Sequence, residues 1–237
     1  MIKLLLLLLS GAKFGKLALT GGTMLLSMAV YAWIWGWPYA VGFVLMILVH
    51  ELGHYIAARQ RGLNVGAPTF IPFVGAWIQL KDLPHDAETD AYIGIAGPVA
   101  GTLAAFACFE AGRVYDSGLL LALAYAGYMI NLFNLLPLGP LDGGRVTAVV
   151  SPKIWLIGAP LLVGLFIWHP SPMFLLVALI AWPSFWKALR GQTGGGVYYD
   201  VPPQTRINYG LAYLGLVAYL GAMTYSLHEQ LQGMRPD

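Results

Sequence analysis

Long apolar stretches alternate with short polar stretches along the whole chain. A bilayer-spanning helix needs about 20 mostly apolar residues. Seven stretches reach or approach that length, namely 17–36, 39–58, 91–112, 118–137, 153–168, 172–189 and 208–228. The fifth and sixth are short and contain several prolines, so they could together form one re-entrant pair. The pattern predicts an all-α polytopic membrane protein with six to seven transmembrane helices.

The composition agrees with this pattern. Hydrophobic residues make up 58% of the chain and charged residues only 10%, whereas a soluble domain typically carries ~25% charged residues. Lipid is therefore the expected solvent of much of the surface. The net charge is +2 and no basic cluster follows a groove, so nucleic acid is not an expected partner. We expect a single membrane-embedded domain over residues 1–237.

Positive charges lie mostly on one side of the predicted membrane. Of the thirteen Lys and Arg residues, only Arg113 and Arg235 fall on the other side. Because cytoplasmic loops carry the excess of Lys and Arg, the N-terminus and the positively charged face are expected to be cytoplasmic. Residues 1–16 are interpreted as an interfacial lead-in to the first span, with a cleaved signal peptide as the alternative.

Three ionisable residues follow directly on the apolar sequence of the second predicted span, in the segment HELGH at residues 50–54. Such residues are costly in a membrane and usually serve a function there. His50 and His54 are four residues apart, so they share one face of a helix and can bind one metal ion. Glu51 lies beside that face, where it can take a proton from water. Imidazole ligands favour zinc, whose catalytic sites need a third protein ligand and an open position.

Asp142 is the predicted third ligand. Glu110 and Asp116 fall on the opposite side of the predicted membrane, whereas Asp142 lies on the same side as His50. It follows the fourth span, where prolines break the helix, and interrupted backbone at membrane depth is tolerated where it lines a cavity. An ordinary turn is the alternative interpretation, because Asp-Gly pairs are common in turns.

The two segments together resemble the site-2 protease family of intramembrane zinc metalloproteases. The second segment, NLLPLGPLDG at residues 134–143, matches every fixed position of that family's N-x-x-P-x-x-x-L-D-G signature. The resemblance implies one zinc ion per chain, bound by His50, His54 and Asp142, with Glu51 as the general base. It also implies that Asn134 steadies the substrate carbonyl or the developing oxyanion.

The resemblance extends from about residue 39 to 150, the expected catalytic core, with extra C-terminal spans at 153–228. The compact form is similar to prokaryotic members, which implies a multi-pass protein of the cell (inner) membrane with its active-site face in the cytoplasm. The implied substrate is a transmembrane segment of another protein, cleaved within or near the bilayer.

Residues 69–80 form an apolar extended segment, predicted to be a small membrane-associated β segment. It resembles the family's strand region, which is proposed to pair with an unwound substrate. That resemblance implies substrate contacts at Phe70, Pro72 and Gly75 in addition to Asn134, and a simple interfacial loop is the alternative. The glycines between residues 94 and 101 are predicted to pack helices; asparagine is frequent in the family at the position of Gly101.

Two functions of other classes remain open at this level. A non-proteolytic zinc-binding scaffold or chaperone would bind the metal without cleaving a substrate. A zinc transporter would need acidic or histidine ligands distributed along the spans on both sides of the membrane, and here they concentrate on one face, which disfavours it.

Overall fold

The computed structural model describes residues 2–73, 75–80, 82–139, 141–168, 170–193 and 196–233. Helices account for most of these residues, and one β-hairpin, β1 (Val65–Ile71) and β2 (Gly75–Leu80), lies between the second and third helices. The helices are α1 (Ile2–Trp35), α2 (Trp37–Gln60), α3 (Ala87–Val114), α4 (Gly118–Asn134), α5 (Asp142–Val150), α6 (Trp155–Trp168), α7 (Pro172–Leu189) and α8 (Pro203–Gly233).

Each of the seven predicted spans corresponds to a helix. By length and composition, three helices of the described chain could cross a membrane, namely α2, α3 and α8, and four shorter apolar helices accompany them. The count of six to seven crossings stays a prediction. The predicted lead-in, residues 1–16, lies largely within α1, which begins at Ile2 and continues without interruption into the first predicted span.

The centre of the molecule is built from α2, α3 and α4, which pack through small residues. A Cβ atom placed on Gly53 of α2 would overlap the backbone of α3 at Ala96, and one on Gly112 of α3 would crowd Leu121 of α4. Small side chains at such contacts let helix backbones approach closely, which is how helices associate where lipid removes the hydrophobic driving force.

The β-hairpin packs against α1 and α2. Its strands are antiparallel, with Ile71 opposite Gly75 and Phe70 opposite Ala76. The hairpin begins at Val65 and is therefore longer than the predicted segment 69–80. The side chain of Phe70 is buried with Tyr31 and Val44, so it fastens the hairpin to the helices.

The turn after α4 and helix α5 bring the segment 134–143 back to α3. The chain turns through residues 135–139 and enters α5, a nine-residue helix that begins at Asp142. Cβ atoms on Gly143 and Gly144 would overlap the carbonyl groups of Leu135 and Leu138. Only glycine allows α5 to start this close to the end of α4.

Candidate metal centre

Helix α2 presents His50 and His54 side by side. The two Nε2 atoms are 3.0 Å apart, as expected for residues separated by one helical turn. Both side chains are buried, with 4% and 8% of their surfaces exposed. Two imidazoles that are withdrawn from water and directed at one point are typical of ligands for a metal ion.

Asp142 completes the group. Its Oδ2 atom lies 3.1 Å from Nε2 of His50 and 3.2 Å from Nε2 of His54, and these three residues form a group able to hold a metal ion. For a tetrahedral zinc ion with ligand bonds of 2.0–2.2 Å, the expected separation between ligand atoms is about 3.3 Å. The donor set and its spacing therefore fit zinc.

The second ring nitrogen of each histidine is also held. Nδ1 of His54 donates to the carbonyl oxygen of Ile93 at 2.7 Å. Nδ1 of His50 lies 2.8 Å from Oδ1 of Asn131, whose amide nitrogen donates to the carbonyl oxygen of Gly127 at 2.6 Å. Because the amide is oriented in this way, its oxygen is the acceptor and Nδ1 of His50 carries the proton. Both Nε2 atoms are then free to bind a metal.

Glycines of α3 pack against His54 and Asn131. Cβ atoms on Gly97 and Gly101 would overlap the ring of His54 and the amide of Asn131, respectively. The position of Gly101, which resembles one often occupied by asparagine in the family, thus leaves room for an asparagine from α4. These glycines were predicted to pack helices; in the structure Gly97 packs against the predicted ligand His54 and Gly101 against its neighbour Asn131.

Glu51 is buried beside the group, with 8% of its surface exposed. It interacts electrostatically with both histidines and with Asp142. Glu51 follows His50 directly in α2, so its side chain leaves the helix on an adjacent face. It is therefore near the three ligands but does not belong to the group formed by their ligand atoms.

The residues predicted to contact a substrate lie on α4 and on the β-hairpin. Asn134 is the last residue of α4, about one turn after Asn131, and is half-buried. Pro72 lies in the turn of the hairpin and Gly75 begins β2. Phe70 is only 2% exposed, so its side chain faces the helices and packs with Tyr31 and Val44.

Two residues of the site were not predicted from the sequence. Asn131 lies within the apolar helix α4, where a polar residue is itself a signal of function. For Arg145 the sequence indicates only a contact with phosphates or a cap of the Asp142 region, whereas its guanidinium lies between Asp90 and Asp142. The pairing of Asn131 with His50 spans 81 residues, which sequence spacing does not reveal.

Comparison with known proteins gives one family. The sequence profile of Peptidase family M50 matches residues 38–118. The chain is 29% identical over 123 residues to a zinc metalloprotease of Methanocaldococcus jannaschii, covering 48% of this chain and 35% of that protein. It is 28% identical over 168 residues to a "probable zinc metalloprotease, chloroplastic" of Oryza sativa subsp. japonica, covering 51% of this chain and 29% of that protein.

The chain therefore spans about a third of the length of these curated relatives. Among solved structures it is similar to the site-2 protease from Methanocaldococcus jannaschii, with a TM-score of 0.46 and 22% identity. That similarity covers 76% of this chain and 89% of the solved one.

Proposed function

We propose that the chain is an intramembrane zinc metalloprotease of the site-2 protease family, a proposal supported by the match of residues 38–118 to Peptidase family M50. The observation that carries this proposal is the meeting of His50, His54 and Asp142, all buried and mutually 3.0–3.2 Å apart, with Glu51 next to them. The proposed reaction is hydrolysis of peptide bonds within or near transmembrane segments of other membrane proteins.

His50, His54 and Asp142 would hold one zinc ion per chain. The ion would act as a Lewis acid that activates a water molecule and polarises the peptide carbonyl. The hydrogen bonds from the histidine Nδ1 atoms to Asn131 and Ile93 keep both rings in the tautomer that such binding requires. Asp142 supplies the negative charge that a pair of neutral histidines lacks.

Glu51 is the proposed general base and acid. Its carboxylate takes a proton from the attacking water, which forms a bond to the carbonyl carbon of the substrate. Glu51 then transfers that proton to the nitrogen of the leaving amine as the carbon–nitrogen bond breaks. Because Glu51 is buried away from bulk water, the proton that it carries exchanges little with solvent.

Asn134 is proposed to donate its amide N–H to the substrate carbonyl oxygen as negative charge develops there. Its place at the end of α4, where the chain turns toward Asp142, supports this role. Of the predicted substrate contacts in the hairpin, Pro72 lies in the turn, Gly75 begins β2, and Phe70 anchors β1 in the core.

The hairpin offers a substrate one edge rather than two. Thr20 of α1 donates to the carbonyl oxygen of Pro68 at 2.6 Å, and the N–H of Phe70 donates to Thr23 at 3.2 Å. The outer edge of β1 is therefore occupied by α1. In an antiparallel pair, the backbone N–H and C=O groups of two directly opposite residues either point toward each other or both point away from the partner strand. Ala76 and Ile78, opposite Phe70 and Pro68, thus direct their backbone groups outward, and this edge of β2 is the proposed place for an unwound substrate.

The remaining features of the proposal concern the whole chain. Residues 1–237 are proposed to form one membrane-embedded domain with six to seven crossings and a catalytic core near 39–150. The distribution of Lys and Arg supports a cytoplasmic N-terminus and active-site face. We place the protein in a prokaryotic cell membrane, with the lipid bilayer and transmembrane-segment substrates as its partners.

The test is cleavage of single-span membrane proteins by the full chain purified in detergent, measured together with its zinc content. We expect one zinc ion per chain, cleavage that a chelator blocks, and recovery of cleavage when zinc is returned. Zinc at that stoichiometry without cleavage of any substrate would favour the non-proteolytic scaffold. A protein that binds no zinc would contradict both.

A further inference from the structure

A buried arginine links the third metal ligand to the start of α3. Nε of Arg145 donates to Oδ1 of Asp90 at 2.9 Å, and Nη2 lies 2.8 Å from the same oxygen. Nη1 of Arg145 lies 3.7 Å from Oδ1 of Asp142. Only about a fifth of the side-chain surfaces of Arg145 and Asp90 is exposed, and 12% of that of Asp142.

The two carboxylate oxygens of Asp142 have different neighbours. Oδ2 lies next to the two histidines, whereas Oδ1 is directed to the guanidinium of Arg145. A carboxylate can bind a metal through one oxygen or through both, and a rotation of its terminal group exchanges the two modes at little cost. A fixed positive charge beside Oδ1 favours binding through Oδ2 alone.

On this geometry we infer that Arg145 and Asp90 are positioning residues of the metal centre. Arg145 holds Oδ1 of Asp142 and so keeps Oδ2 directed at the zinc position, and Asp90 fixes the guanidinium of Arg145 in the required orientation. The inference rests on the proposed function, since it assigns these residues to the same zinc site.

The backbone of α3 is adapted to this contact. Gly94 lies one turn after Asp90, and a Cβ atom there would be 3.0 Å from Cβ of Arg145 and 3.3 Å from the carbonyl oxygen of Asp142. The glycine brings α3 and α5 close enough for Asp90 to reach the guanidinium. Arginine suits the position because its planar guanidinium can address two carboxylates at once, which the single ammonium group of lysine does less well.

The segment Val197–Tyr199, just before α8, contributes to the surroundings of Asp90 and Arg145. Tyr198 packs against the cluster that contains Ala87 and Ala91, the neighbours of Asp90 in α3, and burial together with the negative charge of Asp90 raises the pKa of Tyr198. The loop is held in place by Arg206, which donates to the carbonyl oxygens of Val201, Val150 and Tyr199 at 3.1, 2.9 and 2.6 Å. The loop is thereby joined to the end of α5, the helix that Asp142 begins.

The ion pair of Arg61 with Glu88 provides a matched control. It joins the end of α2 to α3 through an arginine and a carboxylate, with Nη2 of Arg61 3.5 Å from Oε1 of Glu88. Arg61 contacts none of the three metal ligands through this pair. Arg61→Gln therefore removes an arginine–carboxylate contact between helices without altering the surroundings of Asp142.

The experiment is a titration of the metal-free full chain with Co²⁺, followed by visible absorption. We expect Arg145→Gln and Asp90→Asn each to weaken Co²⁺ binding about 10- to 100-fold, the usual cost of losing a partner of a metal ligand. The double variant should bind within about 2-fold of Arg145→Gln, because Asp90 acts through Arg145. Release of Oδ1 should also reduce the intensity of the Co²⁺ bands, as coordination increases beyond four.

Arg61→Gln should bind Co²⁺ like the unaltered chain. If Arg145→Gln fails to fold, Asp90→Asn and Tyr198→Phe carry the test, since both nearly conserve shape; Tyr198→Phe should weaken binding less than Asp90→Asn does. If Arg145→Gln or a folded Asp90→Asn variant shows unchanged Co²⁺ affinity and unchanged absorption bands, this inference is overturned and the proposed function stands. An equal loss in Arg61→Gln would overturn it in favour of general destabilisation, and an unaltered chain that binds no Co²⁺ would overturn the proposed function with it.

Discussion

The orientation of His50 depends on a single amide group. Asn131 is 2% exposed, and its two hydrogen bonds, to His50 and to the carbonyl oxygen of Gly127, leave its amide one orientation. A histidine without this partner could rotate or place its proton on Nε2, and either change removes a lone pair from the metal position. Asn131 thus supports the site without being a ligand.

Asn131→Ala is expected to lower zinc affinity about 10- to 100-fold, because the ring of His50 loses its partner. Competition with a chromogenic chelator measures this affinity directly. Asn208→Ala is the matched control, since Asn208 is exposed and bonds only to Gln204 in the described structure. Equal zinc affinity in Asn131→Ala and in the unaltered chain would contradict the role of Asn131.

At the scale of elements, the glycines of α3 determine how closely this helix approaches the site. Its glycines let the helix pass directly against His54 and Asn131, so the position of these two side chains depends on the absence of a methyl group. In most helices, replacement of glycine by alanine is stabilising by roughly 1 kcal/mol. At Gly97 the added carbon would overlap the ring of His54, and the helix or the ring would have to move.

Gly97→Ala is therefore expected to abolish stoichiometric zinc binding. Gly221→Ala in α8 is the matched control, because no other atom lies within 4 Å of the added carbon there, and it should preserve zinc binding. Elemental analysis of the two purified variants gives the comparison. Full zinc occupancy in Gly97→Ala would show that α3 does not pack against His54 as described.

The hairpin gives a second prediction at this scale. Ala76→Pro removes an outward-facing N–H from β2, and proline is tolerated on a strand edge that makes no ladder hydrogen bond. Loss of one backbone hydrogen bond to the substrate should lower kcat/KM about 5-fold while zinc content stays unchanged. Cleavage of a single-span substrate at full rate by a zinc-loaded Ala76→Pro variant would exclude pairing at this edge.

The elements differ in how far the sequence determines them. The seven apolar helices could be predicted because lipid demands a long apolar stretch for each span. The pairing of the two histidines of HELGH could also be predicted, since residues four apart lie on the same face of a helix whatever the rest of the fold. Two contacts could not be predicted, because they depend on how the helices approach one another. They are the hydrogen bond of Asn131 with His50 and the contacts of Arg145 with Asp90 and Asp142.

For the whole molecule, the C-terminal part is more than an addition to the core. Leu220 and Leu227 of α8 are fully buried with Leu121 and Tyr128 of α4, and the hydroxyl of Tyr213 donates to the carbonyl oxygen of Leu135 at 2.6 Å. Leu135 is the residue against which Gly143 packs. Helix α8 thus supports the turn that delivers Asp142, and the predicted core at 39–150 depends on packing from outside its limits.

The central claim is that Glu51 drives hydrolysis at a zinc site within the membrane domain. The most direct measurement is cleavage of a single-span substrate by the zinc-loaded full chain beside Glu51→Gln and Glu110→Gln, with the products identified by mass spectrometry. Glu110 pairs with Arg113 at 3.4 Å and is exposed, so it controls for loss of a carboxylate. We predict a cut within or near the transmembrane segment by the unaltered chain and by Glu110→Gln, and no cut by Glu51→Gln at equal zinc content. Cleavage by Glu51→Gln at the rate of the unaltered chain would contradict the account.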